Sequence, residues 1–243
     1  SRSNINVLNQ LAARFDSTYN QQRALAEQWA IDNGLPISKT LPDGSYIEIQ
    51  GFENGRGIYY TTYNLNAAKT VSTDKVWLGG GAGLNLDGSG YTMGVWDAFK
   101  PADHPEFTGR WTQQFGTPFD FTTHFTHVVG TMIASGIDSN AKGMAPAANV
   151  YTFHWVNDLA DMAVAQIVWG LLLLNHSYGP FAGWVFGKHV DPFTGVLQWS
   201  WEGDRTISQT EDYKFGFYSD LSSALDSIAN SAPYYLIVQA AGN

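Results

Sequence analysis

Apolar positions recur near helical spacing over residues 4–33, at Leu8, Leu11, Ala12 and Phe15 and again at Ala24, Ala26, Ala30 and Ile31. Asn33-Gly34, with Pro36 close behind, is a stop signal. The pattern then changes period. Tyr46-Ile47-Glu48-Ile49 alternates, Asn54-Gly55 is a turn dipeptide, and Ile58 to Tyr63 pairs back, which predicts a hairpin. The segment between the two runs is read as longer than two residues, leaving the turn type open. Ser72-Thr73-Asp74 can cap a short helix through Trp77. From residue 90 the pattern alternates. Strands are expected at Tyr91 to Trp96, Asn149 to Trp155, Leu171 to His176 and Tyr234 to Ala240, and helices at His124 to Ala134, Asp161 to Gly170 and Asp220 to Ser231. Apolar strands alternating with helices predict an α/β fold, a parallel sheet flanked by helices, preceded by a small α+β segment. Residues 180–215, rich in Gly, Trp and Asp, interrupt the alternation as a long loop or hairpin insertion. No internal repeat is present.

Composition narrows the function classes. At 243 residues with 44% apolar content, the chain can bury a substantial core. A net charge of −9 argues against nucleic acid as a partner. The absence of cysteine excludes disulfides and thiolate-ligated zinc. The longest apolar stretch, around Ile167 to Leu174, is too short to span a bilayer. The glycines at 79–81 and 83 are followed by no Gly-Lys-Ser/Thr, so they read as a connector, not a phosphate cradle.

Three segments carry candidate chemistry. Asp97 ends an apolar strand, which places a carboxylate at the carboxyl edge of the sheet, where ligands gather in open α/β folds. Taken alone, it reads more readily as a turn-capping Asp. His124 and His127 lie three apart on one helix, hence on neighbouring positions. One reading is a metal pair, but the spacing of four and the Glu of His-Glu-x-x-His are both missing. The other is a general base at the helix start, with His127 buried against the sheet. The third segment is Leu236 to Asn243.

These segments stand in the order Asp97, His124, Asn243, and together they resemble the subtilisin-like serine proteases. His124-Phe125-Thr126-His127-Val128-Val129-Gly130-Thr131 matches six of eight positions of the family's His-Gly-Thr-His-Val-Ala-Gly-Thr. Lys142-Gly143-Met144-Ala145-Pro146 is similar to the family's Gly-Val-Ala-Pro, Asn175-His176-Ser177-Tyr178-Gly179 to its Asn-Met-Ser-Leu-Gly, and Ala240-Ala241-Gly242-Asn243 to its oxyanion segment. The stretches Tyr91–Arg110 and Gly136–Trp155 look like Bacteroidetes subtilases. The resemblance implies a catalytic-domain portion at residues 67–243. There Asp97 would orient His124, His124 would act as general base and then acid, and the Asn243 amide would donate to the oxyanion. Ser177, Tyr178 and Gly179 would form the edge on which a polypeptide substrate pairs. Residues 1–66 would be a prodomain that covers two surface helices and blocks the cleft. Two departures stand out: Ala98-Phe99 replaces the family's Thr-Gly or Ser-Gly after the Asp, and Phe125 replaces Gly beside the base, adding bulk that could alter access.

The family's Gly-Thr-Ser-Met-Ala segment is not among these residues. The expectation is therefore a serine endopeptidase whose sheet is incomplete in this chain, with the Ser supplied by a C-terminal fragment of the same precursor beyond a nick after Asn243. Family habit implies a secreted or cell-surface protein with its signal peptide removed. It implies no required cofactor, with calcium as a structural ion; Asp138, Asn140, Asn157 and Asp158 are loop oxygen donors without a recognisable cage. Three other readings stay open. One is an inactive binding scaffold whose cleft Phe99 and Phe125 fill, another an uncleaved zymogen fragment. The last is an aromatic glycan-binding module built on Trp184, Trp199 and Trp201.

Overall fold

A computed structural model describes residues 4–40, 46–53, 55–62, 73–79, 81–116, 120–138, 141–190 and 197–242. The main sheet has five parallel strands in the order β11-β7-β4-β6-β5. These are β4 (Thr92–Asp97), β5 (Trp111–Gln113), β6 (Asn149–His154), β7 (Leu173–His176) and β11 (Leu236–Gln239). Side chains alternate across each strand. Met93 and Val95 therefore face one side, packing with Phe125, Val128, Val129 and Ile133 of α2 (Thr123–Ile133). Trp96 faces the other side, with α3 (Asp158–Trp169) and α4 (Asp220–Ser231). There Trp96 stacks on Phe153 at 4.0 Å and on His176 at 5.0 Å between ring centroids.

One connection has unusual handedness. The β4–β5 link crosses the α2 face in one direction, using Phe107. The β6–α3–β7 and β7–α4–β11 links run in the opposite direction on the opposite face. These three therefore share one hand. The β5–α2–β6 link runs in the second direction but on the α2 face, so it has the other hand. Because about 98% of parallel crossovers are right-handed, the α2 crossover is the left-handed one.

The N-terminal segment forms a second layer. Its long helix α1 (Ile5–Asp32) buries Leu8, Leu11 and Phe15 against α3 and α4, and Ala26 and Ala30 against a small sheet. That sheet is antiparallel, in the order β1-β2-β3-β8: β1 (Ser38–Thr40), β2 (Tyr46–Glu53), β3 (Arg56–Thr62) and β8 (Tyr178–Pro180). Glu53 pairs with Arg56, so the hairpin loop is two residues long, shorter than the sequence reading allowed. Gly55 supplies the positive φ, 78°, that such a tight loop requires. The insertion is a hairpin, β9 (Trp184–Val190) with β10 (Leu197–Trp201). Register sets Trp201 opposite Trp184, with ring centroids 5.4 Å apart.

The loop after α2 is held by one carboxylate. Glu106 accepts hydrogen bonds from the amides of Gly136 (2.7 Å), Ile137 (3.0 Å) and Asp138 (2.8 Å) and from the Ser135 hydroxyl (3.1 Å). Those backbone donors hold its carboxyl at about 2. A depressed carboxyl contributes stability above its ordinary range of about 4.3 and loses it as pH falls through the folded value. Glu106→Gln should therefore lower the melting temperature at pH 7 and flatten its decline between about pH 5 and pH 2. Differential scanning calorimetry across that range checks this, and an unchanged acid limb would remove the assigned role.

Candidate active site

Asp97 is the last residue of the central strand β4, fully buried, at the carboxyl edge of the sheet. Its Oδ1 accepts the Ala98 amide at 2.7 Å, and its Oδ2 lies 2.8 Å from His124 Nδ1. Burial pushes the Asp97 carboxyl upward, opposed by the His124 hydrogen bond and charge and by the Ala98 amide. A neutral imidazole donating from Nδ1 carries its basic lone pair on Nε2.

His124 reaches Asp97 because of how α2 begins. Thr122 caps the helix, its hydroxyl accepting the Phe125 amide at 3.1 Å, so the first turn rises directly over the end of β4. Only 8% of the His124 side chain is exposed. Phe125 points away from the site and is wholly buried under the sheet with Met93 and Val95. It therefore adds no bulk beside the base. His127 also departs from its reading, since it is exposed on α2 and not buried against the sheet.

Phe99 adopts φ 61°, a conformation that glycine takes freely and a bulky residue takes at a cost of about 1–3 kcal/mol. It occupies the position at which the similar family carries glycine. Phe99 packs 5.6 Å from His154, the residue in register with Asp97 on β6.

Ser177, Tyr178 and Gly179 follow β7 on the other side of β4 from β6. The Ser177 hydroxyl accepts from Asn175 Nδ2 at 2.9 Å, and the Tyr178 carbonyl accepts from Gln239 Nε2 at 2.9 Å. The backbone edge is occupied. Thr62 pairs with Tyr178, Thr61 with Gly179 and Tyr60 with Pro180, all antiparallel. An internal strand of the N-terminal segment thus lies where a substrate strand was expected. Asn243, the sequence-derived oxyanion donor, falls outside the described residues, and β11 leads toward it.

Two buried polar groupings were not anticipated. Under the edge, the Tyr178 hydroxyl donates to Asp158 Oδ2 at 2.7 Å and lies 2.8 Å from His176 Nδ1. Burial raises Asp158 to about 6 and lowers His176 to about 3, so this imidazole stays neutral. His176 ends β7 and Tyr178 begins β8, two positions on, and that two-residue spacing was the available signal. At the N-terminal layer, Glu48 of β2 accepts from Trp155 Nε1 at 2.5 Å and from Arg23 Nη2 at 3.2 Å, with His154 Nε2 4.0 Å away. Nothing in the sequence pairs these residues: Glu48 lies 25 positions from Arg23 and 107 from Trp155.

Among the described residues no group of three or more His, Asp or Glu side chains converges as a metal-binding set. Asn157 and Asp158 are engaged with Asp16 and Tyr178. The Asp138 amide is held by Glu106, and Asn140 lies outside the described residues. Among the described residues no helix is long and apolar enough to cross a membrane. No family model matches the chain.

Proposed function

We propose that this chain is the Asp–His portion of a subtilisin-like serine endopeptidase in a self-inhibited, zymogen-like arrangement. The observation that carries this reading is the 2.8 Å Asp97–His124 pair at the carboxyl edge of a parallel sheet. A buried carboxylate fixing Nδ1–H leaves Nε2 to accept a proton from a nucleophile and return it to a leaving amine. The nucleophilic Ser hydroxyl comes from a polypeptide segment outside these 243 residues, as expected for a C-terminal fragment of the same precursor. Asn243 would donate its side-chain amide to the oxyanion, a contact worth roughly 3 kcal/mol in such sites. A secreted or cell-surface location and structural calcium belong to the same proposal.

Pairing of β3 with Tyr178–Pro180 supports the inhibitory part. Substrate polypeptides bind such edges as an added strand, and here that place is taken. Of the two side chains cited for an inactive scaffold with a filled cleft, Phe125 is buried in the core, which leaves Phe99 as the support for that reading.

Active-site labelling of the full-length protein tests the reading. A fluorophosphonate probe should label one Ser after the N-terminal segment is cleaved within residues 63–72, and N-terminal sequencing locates that cut. Labelling should disappear in His124→Ala. A cleaved protein that takes no label, or one labelled equally without His124, sinks the proposal.

A further inference from the structure

We propose that the cavity between the N-terminal layer and the insertion hairpin is a binding site for one neutral sugar ring, a pyranose that rests its C–H face on aromatic side chains and turns its hydroxyls to charged ones. Neither Asp97 nor His124 lines this cavity, so the site is distinct from the catalytic edge and stands whether or not the chain is a peptidase.

The cavity holds about 210 Å³. Sites for drug-sized ligands run to about 300–1,000 Å³, so this one suits a single ring. Trp29 of α1 and Tyr59 of β3 line it from one layer, and Phe181, Trp201 of β10 and Tyr213 from the other. Of the three tryptophans singled out in the sequence, Trp201 alone belongs to the lining. Trp184 backs it, with ring centroids 5.4 Å apart, and Trp199 is exposed outside.

The aromatic walls are set before a ligand arrives. A Cβ on Gly57 would fall 2.7 Å from the Trp29 ring, and one on Gly203 would fall 2.6 Å from the Trp201 ring. Each indole therefore lies against bare backbone that no other residue could supply. The Tyr59 hydroxyl donates to the Pro36 carbonyl at 2.5 Å, which fixes a third ring. Rings held in this way lose little freedom on binding.

The polar groups of the cavity are mixed in sign. Arg56 Nη1 donates to the Gly203 carbonyl at 3.3 Å, which joins the two layers, and a guanidinium carries more donors than that one bond uses. Lys214 Nζ donates to the Glu202 carbonyl at 2.8 Å, lies 3.2 Å from Asp212 and sits 5.1 Å over the Tyr213 ring. Asp204 accepts from the Thr206 amide and hydroxyl through Oδ1, and Glu53 and Glu202 add further carboxylates to the lining. A compact cation would lie beside Arg56 and Lys214, and an anion beside three carboxylates. A hydroxyl can donate to the carboxylates and accept from the guanidinium, so a polyhydroxylated ring uses both. Its apolar face answers the aromatic walls.

Isothermal titration calorimetry of the intact chain with the methyl glycosides of glucose, galactose, mannose and N-acetylglucosamine tests this. At least one should bind saturably at one site per chain, and saturation-transfer NMR should show its ring C–H protons closest to the protein. Arg56 is exposed, so Arg56→Ala keeps the fold and should weaken binding about tenfold, the loss of one charged hydrogen bond. Tyr213→Ala should weaken it as well, whereas Trp199→Ala should leave it unchanged, with circular dichroism confirming each fold. Tetramethylammonium and inorganic phosphate serve as the cation and anion probes and should not compete. Binding of either ion in preference to every glycoside, no binding of any glycoside, or a loss confined to Trp199→Ala overturns the proposal.

Discussion

Asp97→Asn should cost the proposed peptidase roughly 10⁴-fold in kcat, with little change in KM, when the full-length protein is assayed. The amide nearly matches the carboxylate in shape, so the buried site beside the Ala98 amide stays filled. Its electronic demand is different. A carboxylate can only accept, which forces His124 to present Nδ1–H. An amide can donate instead, which moves the imidazole proton to Nε2, the atom that must accept one. Loss of the negative charge also removes stabilisation of the imidazolium formed during proton transfer. Steady-state rates on a peptide substrate, with calorimetry to confirm an intact fold, check this. A loss below about tenfold would mean that the 2.8 Å pair is structural and the catalytic assignment fails.

Glu48→Ala should release the N-terminal segment. The Glu48 side chain is 9% exposed and holds Trp155 Nε1 and Arg23, linking β2 and α1 to the end of β6. Truncation leaves the buried indole N–H of Trp155 without its acceptor and takes from Arg23 one of its two carboxylates, Glu27 remaining. Leaving such groups unpaired costs about 2–4 kcal/mol, or roughly 30- to 1,000-fold in the docking equilibrium. Hydrogen exchange on the intact chain at fixed pH reads this directly, as loss of protection in β2 and β3 while β4 and β6 stay protected. Glu48→Gln keeps an acceptor for Trp155 but loses the charge facing Arg23, so it should fall between the two. Equal protection in the wild type and Glu48→Ala would show that apolar packing alone holds the segment.

What the sequence disclosed depended on the range of each signal. The period of Leu8, Leu11 and Phe15 and the apolar runs of β4 and β6 are local, and α1, α2, α3, α4 and four strands of the main sheet lie where those patterns place them. The fifth strand, Trp111–Gln113, was missed because three residues define no period. The Asp97–His124 proximity was legible only through its similarity to a known motif, since nothing local joins residues 27 positions apart. Phe125 was misplaced because a residue adjacent to His124 in sequence points elsewhere on a helix, about 100° around its axis. Glu48–Trp155 and β3–β8 are contacts between layers. Hydrophobic patterning reports which face of an element is covered, not by what.

The left-handed β5–α2–β6 crossover bears on how quickly this molecule reaches its folded state. β5 and β6 must be joined across the sheet against the chirality that strand twist favours. The three connections of ordinary hand can close without that penalty. Pulsed hydrogen-exchange labelling during refolding should therefore show β4, β6 and β7 protected before α2; simultaneous protection would show that the crossover's hand does not limit folding. α1 binds the face opposite α2, resting on the two helices that cover that nascent sheet. A segment in that position braces the strands and helices whose connections have ordinary hand, the frame on which the α2 crossover closes.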